Sequence, residues 1–160
     1  MTQPHRELSN PSGVYPPLGK YSHVAEVTAS KLLFLAGQVS VDEAGRLVGE
    51  GDVGAQVRQA YKNIGAILAD SGASFEDVVS INTYVVGRES VQPYLDARAE
   101  VFAEIFPGEQ FPPNTFLIID GLLYEEYLVE ISFLTAAKGG KISINVSITE
   151  ECATCGGSGS

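Results

Sequence analysis

Residues 49–54 match the spacing Gly-x-Gly-x-x-Gly of dinucleotide-binding loops, and a helical pattern of apolar residues begins directly after them. In such loops, backbone N–H groups at a helix N-terminus hold a pyrophosphate. Here Glu50 and Asp52 would set carboxylates against that phosphate. We therefore interpret the segment as a glycine-rich turn in which Asp52 caps the helix, rather than as a nucleotide site.

Cys152 and Cys155 have the two-residue spacing of a redox pair or of half a zinc site. No second Cys or His pair accompanies them, and no redox-type helix follows. The surrounding Ser and Thr residues would also suit a substrate peptide for a modifying enzyme, but we favour an engineered or non-domain tail. The chain has only two histidines, and His5 lies in an opening segment without a core pattern, so we expect no metal site.

Arg98 falls beside the apolar stripe of the second predicted helix. Its guanidinium could face a ligand carboxylate, because a planar fork of donors fits that group. It could instead pair with a nearby Glu while its stem packs against apolar neighbours. From the sequence we favour the packing role.

The composition of the chain limits the number of domains and the kinds of partner that these residues can have. A chain of 160 residues that is 44% hydrophobic is long enough for one core and too short for two. Its formal net charge of -10 opposes a phosphate-binding surface, so we expect no nucleic-acid partner. No apolar run reaches the length of a membrane span, and the opening residues lack a signal core. We expect a cytoplasmic protein without a membrane partner.

The apolar spacing predicts the element order β-β-β-α-β-α-β-β. One helical face begins at Val53, with Asp52 as its N-cap and Gly72 as its terminator. Ser90 is expected to cap the second helix, with Pro93 in its first turn. Alternating or continuous apolar runs predict strands at 24–27, 32–37, 46–48, 78–86, 115–119 and 127–134.

Both faces of the last predicted strand are largely apolar. Val129, Ile131 and Phe133 point to one face, while Leu128 and Leu134 point to the other. Two helices can cover only one face of such a sheet. We therefore expect a copy of the same chain to cover the other face.

Five segments together resemble the Rid family of reactive-intermediate deaminases, also called the YjgF/YER057c/UK114 group. They are GKYSH at 19–23, LFLAGQ at 33–38, the helix at 56–65, FPPNT at 111–115 and VEI at 129–131. Their order and separation over about residues 15–137 carry the resemblance. It implies an α+β, chorismate-mutase-like fold: a mixed sheet with two helices on one face, assembled into a homotrimeric barrel with ligand clefts between subunits. It also implies hydrolysis of imines and enamines, such as 2-aminoacrylate, to ketoacids and ammonia without metal or organic cofactor.

The resemblance assigns roles to particular positions. Tyr21 matches the cleft tyrosine, and Gly37 with Gln38 lies in the turn that forms the cleft. Glu130 matches the acidic residue near the attacking water. Its alternative role, which we weigh equally, is a polar contact in the subunit interface. His23 could line the cleft and exchange protons near neutral pH, or be a strand histidine that bonds to backbone, which we favour.

The main departure is at Asn114, followed by Thr115. Deaminase members have Pro-x-Arg-Ser/Thr here, and the arginine holds the substrate carboxylate, whereas an amide is neutral and shorter. Ala36 replaces the serine, and Lys20 the proline, found in many members. Two hypotheses follow: a trimer acting on imine, enamine or carbonyl metabolites other than the standard 2-iminoacids, or a non-catalytic binding or regulatory trimer.

The expected organisation has three parts. Residues 1–19 form an extended or partly disordered opening, and residues 20–137 form the Rid-like domain. Residues 138–160 form a tail that is disordered, adds a strand through the alternating residues 142–148, or is an engineered addition.

Overall fold

The computed structural model describes residues 4–137, so the predictions for Cys152, Cys155 and the rest of the tail lie outside the described residues. The helices are α1 (Val53–Asp70) and α2 (Val91–Ile105). The strands are β1 (His5–Ser9), β2 (Val24–Thr28), β3 (Lys31–Phe34), β4 (Val78–Val86), β5 (Asn114–Ile119) and β6 (Val129–Ala137).

The main sheet has the strand order β3-β6-β4-β5. Strand β6 runs antiparallel to both of its neighbours, and β4 and β5 are parallel, so the sheet is mixed. Strands β1 and β2 form a separate antiparallel pair. Both helices pack on one face of the main sheet, as the predicted α+β fold requires.

Helix α1 forms as its sequence predicts. The Asp52 side chain accepts a hydrogen bond from the backbone N–H of Ala55, and the helix ends at Asp70 before Gly72, which has φ +71°. The residues at 49–54 are therefore the capping turn that we expected. In α2, by contrast, the predicted Ser90 cap is wrong. Ser90 has helical backbone angles and makes no side-chain capping bond, because the short 3-10 turn Arg88–Ser90 leads directly into the helix.

Three strand predictions need correction. The expected strand at 46–48 is reduced to a single bridge between Val41 and Leu47 around a turn. The last strand begins at Val129 rather than at residue 127, because the backbone N–H of Tyr127 bonds within a turn to Tyr124. The opening segment contains β1, whose polar sequence gave no strand pattern.

The core lies between the two helices and the sheet. Rings of both helices meet there: Tyr61 and Phe102 pack edge to face, 5.8 Å apart, and Phe102 stacks on Phe111. Further fully buried core side chains come from both helices, β4 and β6, and include Val57, Ile64, Leu68, Val78, Ile81, Val85, Tyr94, Val129 and Ile131.

Candidate functional site

Strand β3 continues into a β-bulge beside β6. Leu35 donates its backbone N–H to Phe133, and Gln38 exchanges both backbone hydrogen bonds with Ile131. Ala36 and Gly37 together therefore oppose the single residue Ser132. A bulge of this kind bends a strand and redirects its side chains. Here it brings Gly37 against the neighbouring strand.

Glu130 occupies the space that a side chain at residue 37 would need. A Cβ built on Gly37 would lie 1.8 Å from Glu130 Oε1, so only glycine permits this contact. Within the described chain, the Glu130 carboxylate has no hydrogen-bond or ion-pair partner. A carboxylate held this way is available to a ligand or to a second subunit.

Gln38 completes this part of the site. Its side-chain amide donates to the carbonyl oxygens of Ala36 and Gly37, at 3.3 and 3.4 Å. These bonds hold the side chain over the bulge. The structure thus brings Gly37 into contact with Glu130 and places Gln38 directly after Gly37 in the bulge, paired with Ile131.

Asn114 lies elsewhere, at the start of β5. Its Oδ1 accepts a hydrogen bond from the buried Thr83 hydroxyl at 3.3 Å, and that hydroxyl lies 3.3 Å from the Tyr94 hydroxyl. Asn114 Nδ2 is buried and has no hydrogen-bond partner in the described chain. Asn114 therefore faces the helices through a short chain of polar groups.

The strand register places Asn114 and Glu130 on opposite faces of the sheet. Thr83, which contacts Asn114, pairs with Ile131 on the helix-covered face, while Tyr84 pairs with Glu130 on the uncovered face. Thr115 pairs with Asn82 and so shares the uncovered face with Glu130, although β4 separates them. A ligand cannot touch Asn114 and Glu130 of the same chain through one face.

Tyr21 and His23 form a third group, in the segment before β2. The Tyr21 hydroxyl accepts from the backbone N–H of Leu18 at 3.2 Å, and the two rings meet edge to face at 5.6 Å. His23 Nε2 lies 2.7 Å from the carbonyl oxygen of Tyr15, which can only accept, so Nε2 carries a proton. The ring is thus bonded to backbone, as we favoured, and no hydrogen bond joins this segment to Glu130 or Asn114 within residues 4–137.

Two buried hydroxyl groups beside Asn114, those of Thr83 and Tyr94, were not predicted from the sequence, whereas Arg98 packs on aromatic rings as we expected. Thr83 and Tyr94 carried no signal, because a buried hydroxyl in a strand or helix looks like any core position. Arg98 did carry one: it lies four residues from both Tyr94 and Phe102 on one helical face. Its guanidinium carbon lies 5.7 and 5.4 Å from these two ring centres.

Two cavities of the described chain lie away from these residues. One of about 490 Å³ is lined by Arg6, Ser74 and Asp77, and one of about 300 Å³ lies between the helices beside Tyr61 and Glu104. Residues 4–137 hold no group of three or more His, Cys, Asp or Glu side chains that could bind a metal ion. Glu130 and Asn114 line neither of these two cavities.

Comparisons with known proteins agree with this architecture. Residues 13–137 match the family described as Endoribonuclease L-PSP. The chain is 30% identical over 116 residues to a RutC family protein of Pyrococcus horikoshii, covering 69% of this chain and 90% of that protein. It is 31% identical over 127 residues to the 3-aminoacrylate deaminase RutC of Acinetobacter baylyi, covering 79% and 94%. The crystal structure of YyfB, a Rid-family protein of unknown function from Yersinia pestis, is 32% identical with a TM-score of 0.74, covering 82% and 98%.

Proposed function

The chain belongs to the family of Endoribonuclease L-PSP, RutC and Rid proteins, and on that premise we propose that it forms a homotrimer with small-molecule clefts between its subunits. In these clefts it acts on imine, enamine or carbonyl metabolites without metal or organic cofactor. The relative named a 3-aminoacrylate deaminase supports this class of substrate.

The observation that carries the proposal is the Glu130 carboxylate, which lies against Gly37 on the uncovered face of the sheet and has no partner within the described residues. A second copy placed against the uncovered face would close a cleft over this carboxylate. That face also exposes large apolar side chains, Phe34 at 79% and Leu117 at 47%, which favours burial against another subunit.

Glu130 would accept and donate protons during the reaction. For an imine, water adds to the C=N carbon: the C–O bond forms, Glu130 accepts the proton that water loses, and nitrogen takes up a proton from solvent. The carbinolamine nitrogen then receives the proton from Glu130, the C–N bond breaks to release ammonia, and the hydroxyl group returns its proton to solvent as C=O forms. An enamine first takes a proton on carbon. The balance is imine plus water giving carbonyl compound plus ammonia.

Asn114 sets the limit on substrates. Because the family arginine that holds a 2-iminoacid carboxylate is absent at this position, we propose that 2-aminoacrylate-like iminoacids are poor substrates. A neutral amide cannot replace the charge-assisted, two-pronged contact of a guanidinium. The alternative function is a non-catalytic metabolite-binding or regulatory trimer, in which Glu130 serves only as a polar contact between subunits.

Partners and location follow from charge and composition. The net charge of -10 favours small molecules over nucleic acid, so the proposal does not include RNA cleavage despite the family description. No helix within residues 4–137 is long and apolar enough to cross a bilayer. The same residues contain no cysteine, which suits the reducing cytoplasm that we propose as the site of action.

Ketoacid or aldehyde release from a panel of imines tests the function, with 2-iminoacids generated enzymatically in the same assay. We expect slow turnover of 2-iminoacids and faster turnover of at least one other imine or enamine. Glu130→Gln should lower that faster rate by about a hundredfold. The exposed turn variant Glu43→Gln is the control and should not change it.

The outcomes separate the two functions. Turnover of 2-iminoacids equal to that of an arginine-bearing Rid deaminase would refute the substrate limit. Absence of turnover with every imine, while Glu130→Gln still forms a trimer, would favour the non-catalytic alternative.

A further inference from the structure

A groove of about 300 Å³ lies between α1 and α2. Its apolar lining includes Phe75, Val101 and Ile105, which are half-buried and pack against the core. Lys62 from α1 and Glu104 from α2 also line it, and both are exposed, so the groove is open to solvent. Small-molecule sites in proteins begin at about this volume. The groove is therefore large enough for one small ligand.

Gly65 keeps the apolar part of the groove open. It lies inside α1, where glycine is unfavourable because it loses more backbone freedom than other residues. A Cβ built on Gly65 would lie 3.3 Å from the ring of Phe75, which is closer than an ordinary contact. The absence of a side chain at residue 65 thus lets an aromatic ring lie at the surface of the groove.

The charged residues of the groove form two facing rows. A Cβ on Gly54 would lie 3.7 Å from Ala97, and Arg58 forms an ion pair with Glu100 at 2.8 Å, so the two helices run in the same direction. Residues four apart in a helix are neighbours on one face. Lys62 follows Arg58 by four residues, and Glu104 follows Glu100 by four. The next level of the groove therefore has a cation on the α1 wall and an anion on the α2 wall.

These two charges do not neutralise each other. The ion pairs within residues 4–137 join Arg46 to Asp42 and Arg58 to Glu100. In the same part of the chain, neither Lys62 nor Glu104 forms a hydrogen bond or an ion pair. The groove thus offers one free positive charge, one free negative charge on the opposite wall, and an apolar surface with an aromatic ring beside them.

A free α-amino acid has the complementary set of groups. It carries a carboxylate and an ammonium on one carbon atom, together with a side chain that can be apolar. We propose that the groove binds a free α-amino acid with a large apolar side chain. Its carboxylate contacts Lys62, its ammonium contacts Glu104, and its side chain packs on Phe75 and Val101. A residue within a peptide lacks both of these charges, so it does not fit the two walls.

This site is separate from the proposed imine site. Glu130 lies on the face of the sheet that the helices leave uncovered, whereas the groove lies within the helix layer on the other face. The amino-acid site therefore does not depend on the proposed function. Its occupant need not be a substrate.

NMR titration of the full-length protein with L-phenylalanine tests the inference. Two analogues each lack one charge: phenethylamine has no carboxylate, and 3-phenylpropionate has no ammonium. Because exposed charge pairs contribute little each, L-phenylalanine should bind about threefold or more tighter than either analogue. L-alanine, which lacks the large side chain, should bind more weakly than L-phenylalanine. The largest shifts are expected at Val101 and Ile105.

Two variants should change the affinities in opposite ways. Lys62→Met keeps the apolar stem and removes the positive charge, so it should weaken L-phenylalanine and 3-phenylpropionate by about threefold and should not weaken phenethylamine. Glu104→Gln should weaken L-phenylalanine and phenethylamine and should not weaken 3-phenylpropionate. Arg88→Met and Glu50→Gln change exposed charges outside the groove. At physiological salt, which screens distant charges, both controls should bind like the native chain.

Two results would overturn the inference. The first is that L-phenylalanine does not bind, or binds no more tightly than the two analogues. The second is that Lys62→Met and Glu104→Gln bind all three compounds like the native chain, provided that thermal unfolding shows both variants to be folded. Glu130→Gln should bind L-phenylalanine normally, and the imine assay does not involve the groove. Failure of this inference is therefore distinguishable from failure of the proposed function.

Discussion

The carboxylate of Glu130 lies over the Cα of Gly37, so closely that a methyl group at residue 37 would come within 1.8 Å of Oε1. The contact joins the bulge after β3 to the centre of the sheet. The contact requires that residue 37 has no side chain, and it requires the strand register that places Glu130 beside residue 37. The space that the acidic group occupies is therefore provided by the backbone geometry of the bulge.

We expect Gly37→Ala to displace the Glu130 carboxylate and to lower imine hydrolysis by at least about tenfold. The side chain of Glu130 is flexible enough to move, so the loss of stability should be smaller than that of a core substitution. Kinetics combined with thermal unfolding would measure both effects. Gly121→Ala is the control, because a Cβ there meets nothing within 4 Å. Native kinetics in the Gly37→Ala variant would show that the position of Glu130 is not used in turnover.

Asn114→Arg should supply the charge that a 2-iminoacid carboxylate needs, so we expect a higher kcat/KM for 2-iminoacids than in the native chain. Because the change also removes the acceptor of the Thr83 hydroxyl, the variant should be less stable. Steady-state kinetics and thermal unfolding measure the two effects. A folded variant whose kcat/KM for 2-iminoacids is no higher than that of the native chain would contradict the role of residue 114.

Light scattering should give about three times the chain mass of 17.0 kDa. Phe34 lies on the uncovered face of the sheet, level with Leu134, so Phe34→Asp should shift the assembly towards monomer. Leu123 is equally exposed but lies in the loop before β6, so Leu123→Asp should keep the native mass. A folded native monomer at micromolar concentration would exclude the shared cleft.

The stability of the protein should depend on Tyr61 at alkaline pH. Its folded pKa is raised by burial, whereas an unfolded tyrosine ionises near pH 10. The contribution of Tyr61 to the stability of the folded state is thus complete below about pH 10. It is lost as the pH rises further, because the Tyr61 hydroxyl ionises easily only in the unfolded chain. Between pH 9 and 11, the free energy of unfolding of the native chain should fall by about 1 kcal/mol more than that of Tyr61→Phe. Chemical denaturation at each pH measures both values. Tyr124→Phe, at an exposed ring, should follow the native profile, and identical native and Tyr61→Phe profiles would contradict the expectation.

The parts of the structure that local pattern controls could be predicted from the sequence. The four-three-four spacing from Val53, the Asp52 cap and the break at Gly72 all lie within one helix and need no distant partner. Strand β4 was predicted with the bounds that the structure shows, since β-branched and aromatic residues dominate it. Strand β1 was not predicted, because its polar residues show no strand pattern and form a strand only through pairing with β2.

The parts that depend on register could not be predicted. The bulge at Ala36 and Gly37 exists only because β6 pairs on both sides of it. Buried Gln56 gives a second example. Its side chain donates to the carbonyl oxygens of Gly49 and Glu126 and accepts from the N–H of Leu128, but the sequence showed it only as a polar residue on a helix. Neither feature is visible until segments far apart in the sequence are placed together.

The central position of β6 has a consequence for how the protein forms during synthesis. This strand separates β3 from the β4–β5 pair, yet it is the last described strand to leave the ribosome. Until it emerges, β3 and one edge of β4 have no hydrogen-bonded neighbour among the described strands, and the helices have an incomplete surface to cover. Glu130 arrives on that same strand. An unfinished chain therefore lacks the contact between Glu130 and Gly37, which forms only when β6 joins the sheet.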